Sequence, residues 1–297
     1  MPKEKVFLFL FLALIVLASI NFGLGRILID KERAELFFKE SATNINFKKY
    51  PPYIKGIYLT SWTAGDASKI NHFIDLIKKT ELNAVVIDIK EVDGKIAFDT
   101  DSPLINDLKT ENILIPNIKD LIDKLHQENI YTIARIVVFK DGTLPKIKPK
   151  LALKNKGGGL WQDWKGKTWL DPASIEVWDY HIEIAKEAVK IGFDEINFDY
   201  VRFPSDGDIS NIIYPAWDMK TPKSEIMKNF FAYMSSELKP SGAFLSVDLF
   251  GLTMIRSDDM NIGQLLENTI PYFDFICPMV YPSHYPPDFE GYKNPAD

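Results

Sequence analysis

From residue 53 onward the chain switches repeatedly between two hydrophobic patterns. Short runs rich in β-branched and apolar residues alternate side by side: KGIYLTS (55–61), NAVVIDI (83–89), YTIARIVVF (131–139), EINFDYV (195–201), FLSVDLF (244–250) and FDFICPMVY (273–281). Period-two runs of this length predict six strands. Between them, apolar residues recur at helical spacing and predict helices at about 67–79, 118–128, 175–191 and 223–238, with a shorter one near 262–268. Asp171-Pro172 stands just ahead of the third helix as a start signal. The segment VDGKIAFDT (92–100) reads as a small hairpin. Strand–helix alternation predicts an α/β fold of parallel strands joined by crossover helices, of the (β/α)8 TIM-barrel type. Only six βα units can be counted, and the stretch from Pro282 to Asp297 is loop-like. The expectation is therefore a barrel truncated after about six units, its C-terminal units missing, or else an open sheet. The fragment is preferred because an unclosed barrel exposes two strand edges.

The N-terminus follows another rule. Lys3 and Lys5 precede an apolar run from Val6 to Leu24, broken by Ser19, Asn21 and Gly23. A run of this length suffices to span a bilayer and exceeds the usual core of a cleaved signal peptide. Residues 1–25 are expected to be a signal anchor or signal peptide, forming a hydrophobic helix with its N-terminus inside. The rest would then sit outside the cytoplasm, tied to the cell membrane by a single pass, or be secreted. Residues 26–52 read as a juxtamembrane helix (27–38) and a polar linker ending at Pro51-Pro52, and residues 53–297 as the barrel.

Composition narrows the chemistry. The 297 residues are 46% hydrophobic and 13% aromatic, enough for one large core, and the net charge of −6 argues against a nucleic-acid partner. Cys277 is the single cysteine, so no internal disulfide forms, and it reads as a small buried residue on a strand. His72, His126, His181 and His284 do not cluster, and no metal site is expected. Only His284 falls where a Ser-His-Asp triad would need it. No glycine-rich phosphate loop precedes a helix, so no cofactor is expected.

Strand parity concentrates the polar residues. Glu195, Asn197 and Asp199 share one face of their strand, opposite Ile196, Phe198 and Tyr200; Ser246 and Asp248 oppose Val247 and Leu249; Asp88 and Lys90 oppose Ile87 and Ile89. Tyr58, Thr60 and Trp62 share a face, as do Met279 and Tyr281, and Arg135 is the polar member of the third strand. The apolar faces must pack under helices, so the polar faces line the interior, late in their strands, where barrels of this kind build their sites. Any one acid there also reads as a structural ion-pair partner, Asp88 with Lys90 or Arg135 for example. Glu195, early in its strand, reads as structural.

Asp199, Asp248 and Glu91, which lies just past the second strand, are the catalytic candidates. Hydrolysis of a glycosidic bond needs two carboxyl groups, about 5–5.5 Å apart for retention or about 6.5–9.5 Å for inversion. Were Arg202 to pair with Asp199, that group would stay ionised, and Asp248 or Glu91 would donate the proton. The expected contacts to substrate are Trp62, Asp88, Lys90, Arg135, Asn197, Arg202, Tyr281, Trp161 and Trp164. The last two belong to a long loop (140–172) that also carries Trp169, three consecutive glycines (157–159) and eight lysines. That loop reads either as a lid gripping an acidic or acetylated glycan, or as a solvated basic loop whose tryptophans cap the barrel.

KGIYLTSW, NAVVIDIK, NFDYVRFP and CPMVYPSHY together resemble the bacterial family known as the putative glycoside hydrolase domain, over about residues 53–297. Its members are similar to α-amylase-like and related glycosidase barrels. The resemblance implies a (β/α)8 fold and activity on a polysaccharide, with Asp199 of NFDYVRFP as the catalytic candidate and Asp248 second to it. The chain departs from the family in stopping two βα units short. It departs from chitinase-like barrels in placing Val201 where their DxDxE pattern ends in glutamate. Two functions follow as expectations: a glycoside hydrolase acting on cell-wall or extracellular polysaccharide, or a carbohydrate-binding barrel without catalysis. A wall-associated structural protein is a third class.

Overall fold

A computed structural model describes residues 51–285 and 287–296. The expected hydrophobic segment over 1–25, and the helix and linker up to residue 50, lie outside the described residues. Six parallel strands form one sheet in sequential order: β1 (Gly56–Leu59), β2 (Ala84–Lys90), β3 (Tyr131–Val137), β4 (Glu195–Asp199), β5 (Phe244–Phe250) and β6 (Phe275–Met279). The sheet curls into an open half-barrel. Among the described residues no strand joins β1 to β6.

Four crossover helices cover the convex side: α1 (Ala67–Lys78), α2 (Ile118–Gln127), α3 (Ile175–Ile191) and α4 (Lys223–Leu238). Local sequence explains them. Asp66 caps α1 by accepting from the Ser68 and Lys69 amides at 3.0 and 3.2 Å. Ile70, Ile74 and Ile77 then fall on one buried stripe. In α4 the stripe is Met227, Phe230, Phe231, Met234 and Leu238. Gly192 ends α3 with φ +111°, a left-handed conformation that suits glycine. These stripes meet the outer strand faces, where Val85, Ile87 and Ile89, Ala134 and Ile136, Ile196 and Phe198, and Leu245, Val247 and Leu249 are buried. Each large apolar side chain so buried contributes about 1.5–3 kcal/mol.

The structure corrects two predicted elements. The segment from Val92 to Thr100 is not a hairpin. Ile96 forms isolated bridges to Lys90 and Glu111, and a short helix, Pro103–Leu108, follows with proline at its start. The expected helix near 262–268 is a series of turns, because Gly263 takes φ +85° and a Cβ there would strike Lys223 O at 2.8 Å. The basic loop is built rather than loose. Bridges join Lys140 to Trp169, Ala152 to Leu170 and Gln162 to Thr168, and the pair Lys154–Asn155 runs antiparallel to Ile212–Ile213. No helix of the described residues is long and apolar enough to cross a membrane.

Candidate active site

The inner faces of the strands enclose a cavity of about 790 Å³. Its lining follows the expected parity: Tyr58 from β1, Val86 from β2, Ile133 and Arg135 from β3, Glu195, Asn197 and Asp199 from β4, Asp248 and Phe250 from β5, and Cys277 and Met279 from β6, with Tyr281 just beyond. Register levels these groups across the sheet. Asp88 is opposite Arg135, Arg135 opposite Asn197, and Asp248 opposite Cys277.

Arg135 is the organising cation. Its Nη1 donates to Asp88 Oδ1 at 2.6 Å, its Nη2 donates to Asp199 Oδ2, and its Nε lies 3.9 Å from Asp248 Oδ2. Tyr58 Oη donates to the second oxygen of Asp88, and the Tyr58 ring lies under the guanidinium, 5.7 Å from centroid to Cζ. The neighbouring acids raise the pKa of Arg135 against the opposing effect of burial. Asp199 Oδ1 accepts from the Tyr200 amide at 2.6 Å. Asn197 Nδ2 donates to Asp248 Oδ1 and Ser246 Oγ, both at 3.0 Å.

The acids do not share one environment. Burial, then repulsion from Asp199, pushes the Asp248 carboxyl up to about 7, against the Asn197 hydrogen bond and the Arg135 charge. Asp88 is also raised, chiefly by burial, with Arg135 opposing. Glu195 lies on the cavity floor, where Tyr131 Oη donates to it at 3.1 Å and burial raises it.

Several expected site residues stand elsewhere. A register shift between Asp88 and Lys90 turns Lys90 away from the cavity. Its fully buried ammonium meets Val137 O and Asp141 Oδ2, each at 2.8 Å. Glu91 accepts from Ser61 Oγ at 2.6 Å and lines a separate recess of about 60 Å³ with Trp62. It is therefore not the partner of Asp199. Trp161 is buried with its Nε1 donating to Asp208 O, so it offers no open platform, whereas Trp164 is 79% exposed. Arg202 does not pair with Asp199, because Arg135 holds that place. Tyr200, expected on the apolar face, adopts φ +55° as β4 ends and swings onto the cavity wall. A left-handed tyrosine costs about 1–3 kcal/mol, and such strain concentrates at functional sites.

Lys140 and Lys165, two of the eight lysines of the basic loop, also line the cavity, together with Asp206 and Gln264, which the sequence reading passed over. The first three carry no periodic signal because they come from loops. Gln264 is oriented by accepting from the Phe250 amide at 3.0 Å and donating to Val201 O at 3.3 Å. Among the described residues no group of three or more His, Cys, Asp or Glu is placed to hold a metal ion.

A curled parallel α/β sheet with acids gathered where its strands end is the architecture of glycoside hydrolase barrels. The chain belongs to the family described as "Putative glycosyl hydrolase domain", whose model matches residues 56–297. A hypothetical protein from Ruminiclostridium thermocellum is 40% identical over 65% of this chain and 96% of its own, with a TM-score of 0.60. The PgaB (BpsB) glycoside hydrolase domain from Bordetella bronchiseptica shares the fold at 13% identity and a TM-score of 0.56, over 78% of this chain and 75% of its own. A GH20 exo-β-N-acetylglucosaminidase from Vibrio harveyi, solved with N-acetylglucosamine, does so at 14% identity and 0.53, over 79% of this chain and 42% of its own. No curated protein matches the chain.

Proposed function

We propose that this domain hydrolyses glycosidic bonds of a cell-wall or extracellular polysaccharide, with Asp248 as general acid and Asp199 as nucleophile or general base. One observation carries the reading: two carboxyl groups from neighbouring strands face the same cavity and meet the same guanidinium, yet in unlike surroundings. Asp248, raised to about 7, holds a proton through much of the neutral range and can deliver it to the leaving oxygen. Asp199, oriented by Arg135 and the Tyr200 amide, faces the anomeric carbon or the water that attacks it. Asn197 orients Asp248, and Asp88 with Tyr58 orients Arg135. Tyr281 and Tyr58, both about half exposed, offer flat apolar surface to sugar rings. The apolar run at 6–24 fits display outside the cytoplasm, where such polymers lie.

The test assays purified protein against cell-wall polysaccharides for new reducing ends, and against aryl glycosides with good and poor leaving groups. Asp248→Asn is expected to lose activity on polysaccharide and poor leaving groups while keeping part of it on dinitrophenyl glycosides. Asp199→Asn is expected to lose both and still bind. The tight Arg135–Asp199 pair favours the second reading, a carbohydrate-binding barrel without turnover. Wild-type protein that binds a glycan and never releases reducing ends would establish it.

A further inference from the structure

The cavity that holds the proposed acids is also lined by charge of the other sign. Four cations line the space: Arg135, Lys140, Lys165 and Arg202. Two are already neutralised within the protein. Arg135 is held by Asp88 and Asp199, and Lys140 lies 2.7 Å from the buried Asp163. The other two are less well matched, Arg202 having only the long Asp206 pair at 3.7 Å. Among the described residues no acid lies within 4.0 Å of the Lys165 ammonium.

Arg202 is the more telling. Its side chain is only 7% exposed, and its guanidinium carbon stands 5.0, 5.8 and 5.0 Å from the ring centroids of Trp169, Tyr200 and Phe250. Nη1 donates to Phe203 O and Ser205 Oγ, both at 3.1 Å. The one ion pair of Arg202 among the described residues is with Asp206, whose carboxylate is 3.7 Å from Nη2, beyond hydrogen-bond range, and 56% exposed, while Asp199 adds a weaker attraction. Burial drives the Arg202 pKa down despite both acids. A guanidinium withdrawn from water, fixed by three rings and left with a distant counter-ion is poised to accept a planar anion.

Resting on the reading of this cavity as a carbohydrate site, we infer that Arg202 and Lys165 form a subsite for the carboxylate of an acidic sugar, so that the substrate is a uronate-bearing polysaccharide. The two N–H groups of the fork match the two oxygens of a carboxylate, with Lys165 adding charge from the loop above. Asp206 acts as a displaceable stand-in: it partly offsets Arg202 while the subsite is empty and swings into water when the sugar carboxylate arrives.

The experiment measures equilibrium binding by calorimetry, with reducing-end release in parallel. The probes are fragments of polygalacturonate, alginate, heparosan and hyaluronan, each native and after chemical reduction of its carboxyl groups to alcohols, with heparin as a sulfated control. Wild-type protein is expected to bind at least one native polymer ~10–100-fold tighter than its reduced form, the range for losing a charge-assisted hydrogen bond. Arg202→Gln should abolish that preference. Because this variant removes a buried group, two variants at exposed positions carry the test if it fails to fold. Lys165→Gln should weaken binding of the native polymer several-fold and leave the reduced polymer unaffected. Asp206→Asn should tighten binding of the native polymer. No preference in any pair, or a preference confined to heparin, overturns the inference. Hydrolysis of neutral polymers without any acid preference would do so while sparing the proposed hydrolase. Acid-selective binding with no reducing ends would uphold the subsite and remove the hydrolase.

Discussion

Asp248→Asn should stabilise the folded protein at neutral and alkaline pH while removing its activity on polysaccharide. The wild-type carboxyl is raised from its ordinary 3.8 to about 7, by burial and by Asp199. Between those values the folded state holds a proton that the unfolded state has released. Stability therefore falls as pH climbs through this window and levels off above about 7. The span is about three pH units. At about 1.4 kcal/mol per unit, wild-type protein forfeits up to about 4 kcal/mol at this one residue by pH 8. Asparagine occupies nearly the same volume, keeps an acceptor for Asn197 Nδ2, and carries no charge to bury. The assay is urea denaturation of both proteins at half-unit steps from pH 4 to 8.5. Subtracting one curve from the other cancels the titration of acids remote from Asp248. The variant's advantage should grow from about pH 4, reach a few kcal/mol, and flatten above about 7. A difference that is constant across the range, or one that favours wild type as pH rises, would refute the claim that the cavity holds this carboxyl protonated. Activity supplies an independent check, since wild-type kcat should fall above about pH 7 as the acid is lost.

Two further outcomes test where the structure puts residues that the sequence suggested for substrate. Lys90→Met leaves the fully buried Asp141 without its partner and should cost about 3–5 kcal/mol in chemical denaturation. Adding Asp141→Asn should recover much of that loss and leave glycan KM unchanged; an additive double variant, or a raised KM, would place Lys90 in the site after all. Trp161→Ala should lower stability by about 3–5 kcal/mol, whereas Trp164→Ala, at a largely exposed side chain, should stay within about 0.5 kcal/mol, as thermal melts can establish.

The elements most readable from sequence were those where local and global demands agree. The helices at Ile175–Ile191 and Lys223–Leu238 and the strand Phe244–Phe250 lie where periodicity puts them, because one apolar face both defines the period and meets the core. The segments at 92–100 and 262–268 were misread for the opposite reason. Isolated bridges and a left-handed glycine packed against α4 direct the chain there, and neither leaves a repeating pattern. Tyr200 fails the parity rule because β4 ends one residue earlier, at a left-handed turn.

Pleating alone turns alternate side chains to one face, so Asp199, Asp248, Asn197 and Arg135 could be assigned to a common interior from sequence by itself, together with the parallel α/β class. Which charge answers which depends on separations across the curled sheet, between residues dozens of positions apart. Tertiary structure therefore decided that Arg135 and not Arg202 holds Asp199, and that a register shift buries Lys90. It also set Glu91 in its own recess and left Arg202 among three rings with a distant counter-ion. Electrostatic pairing is steep in distance and burial, and a one-dimensional pattern carries neither.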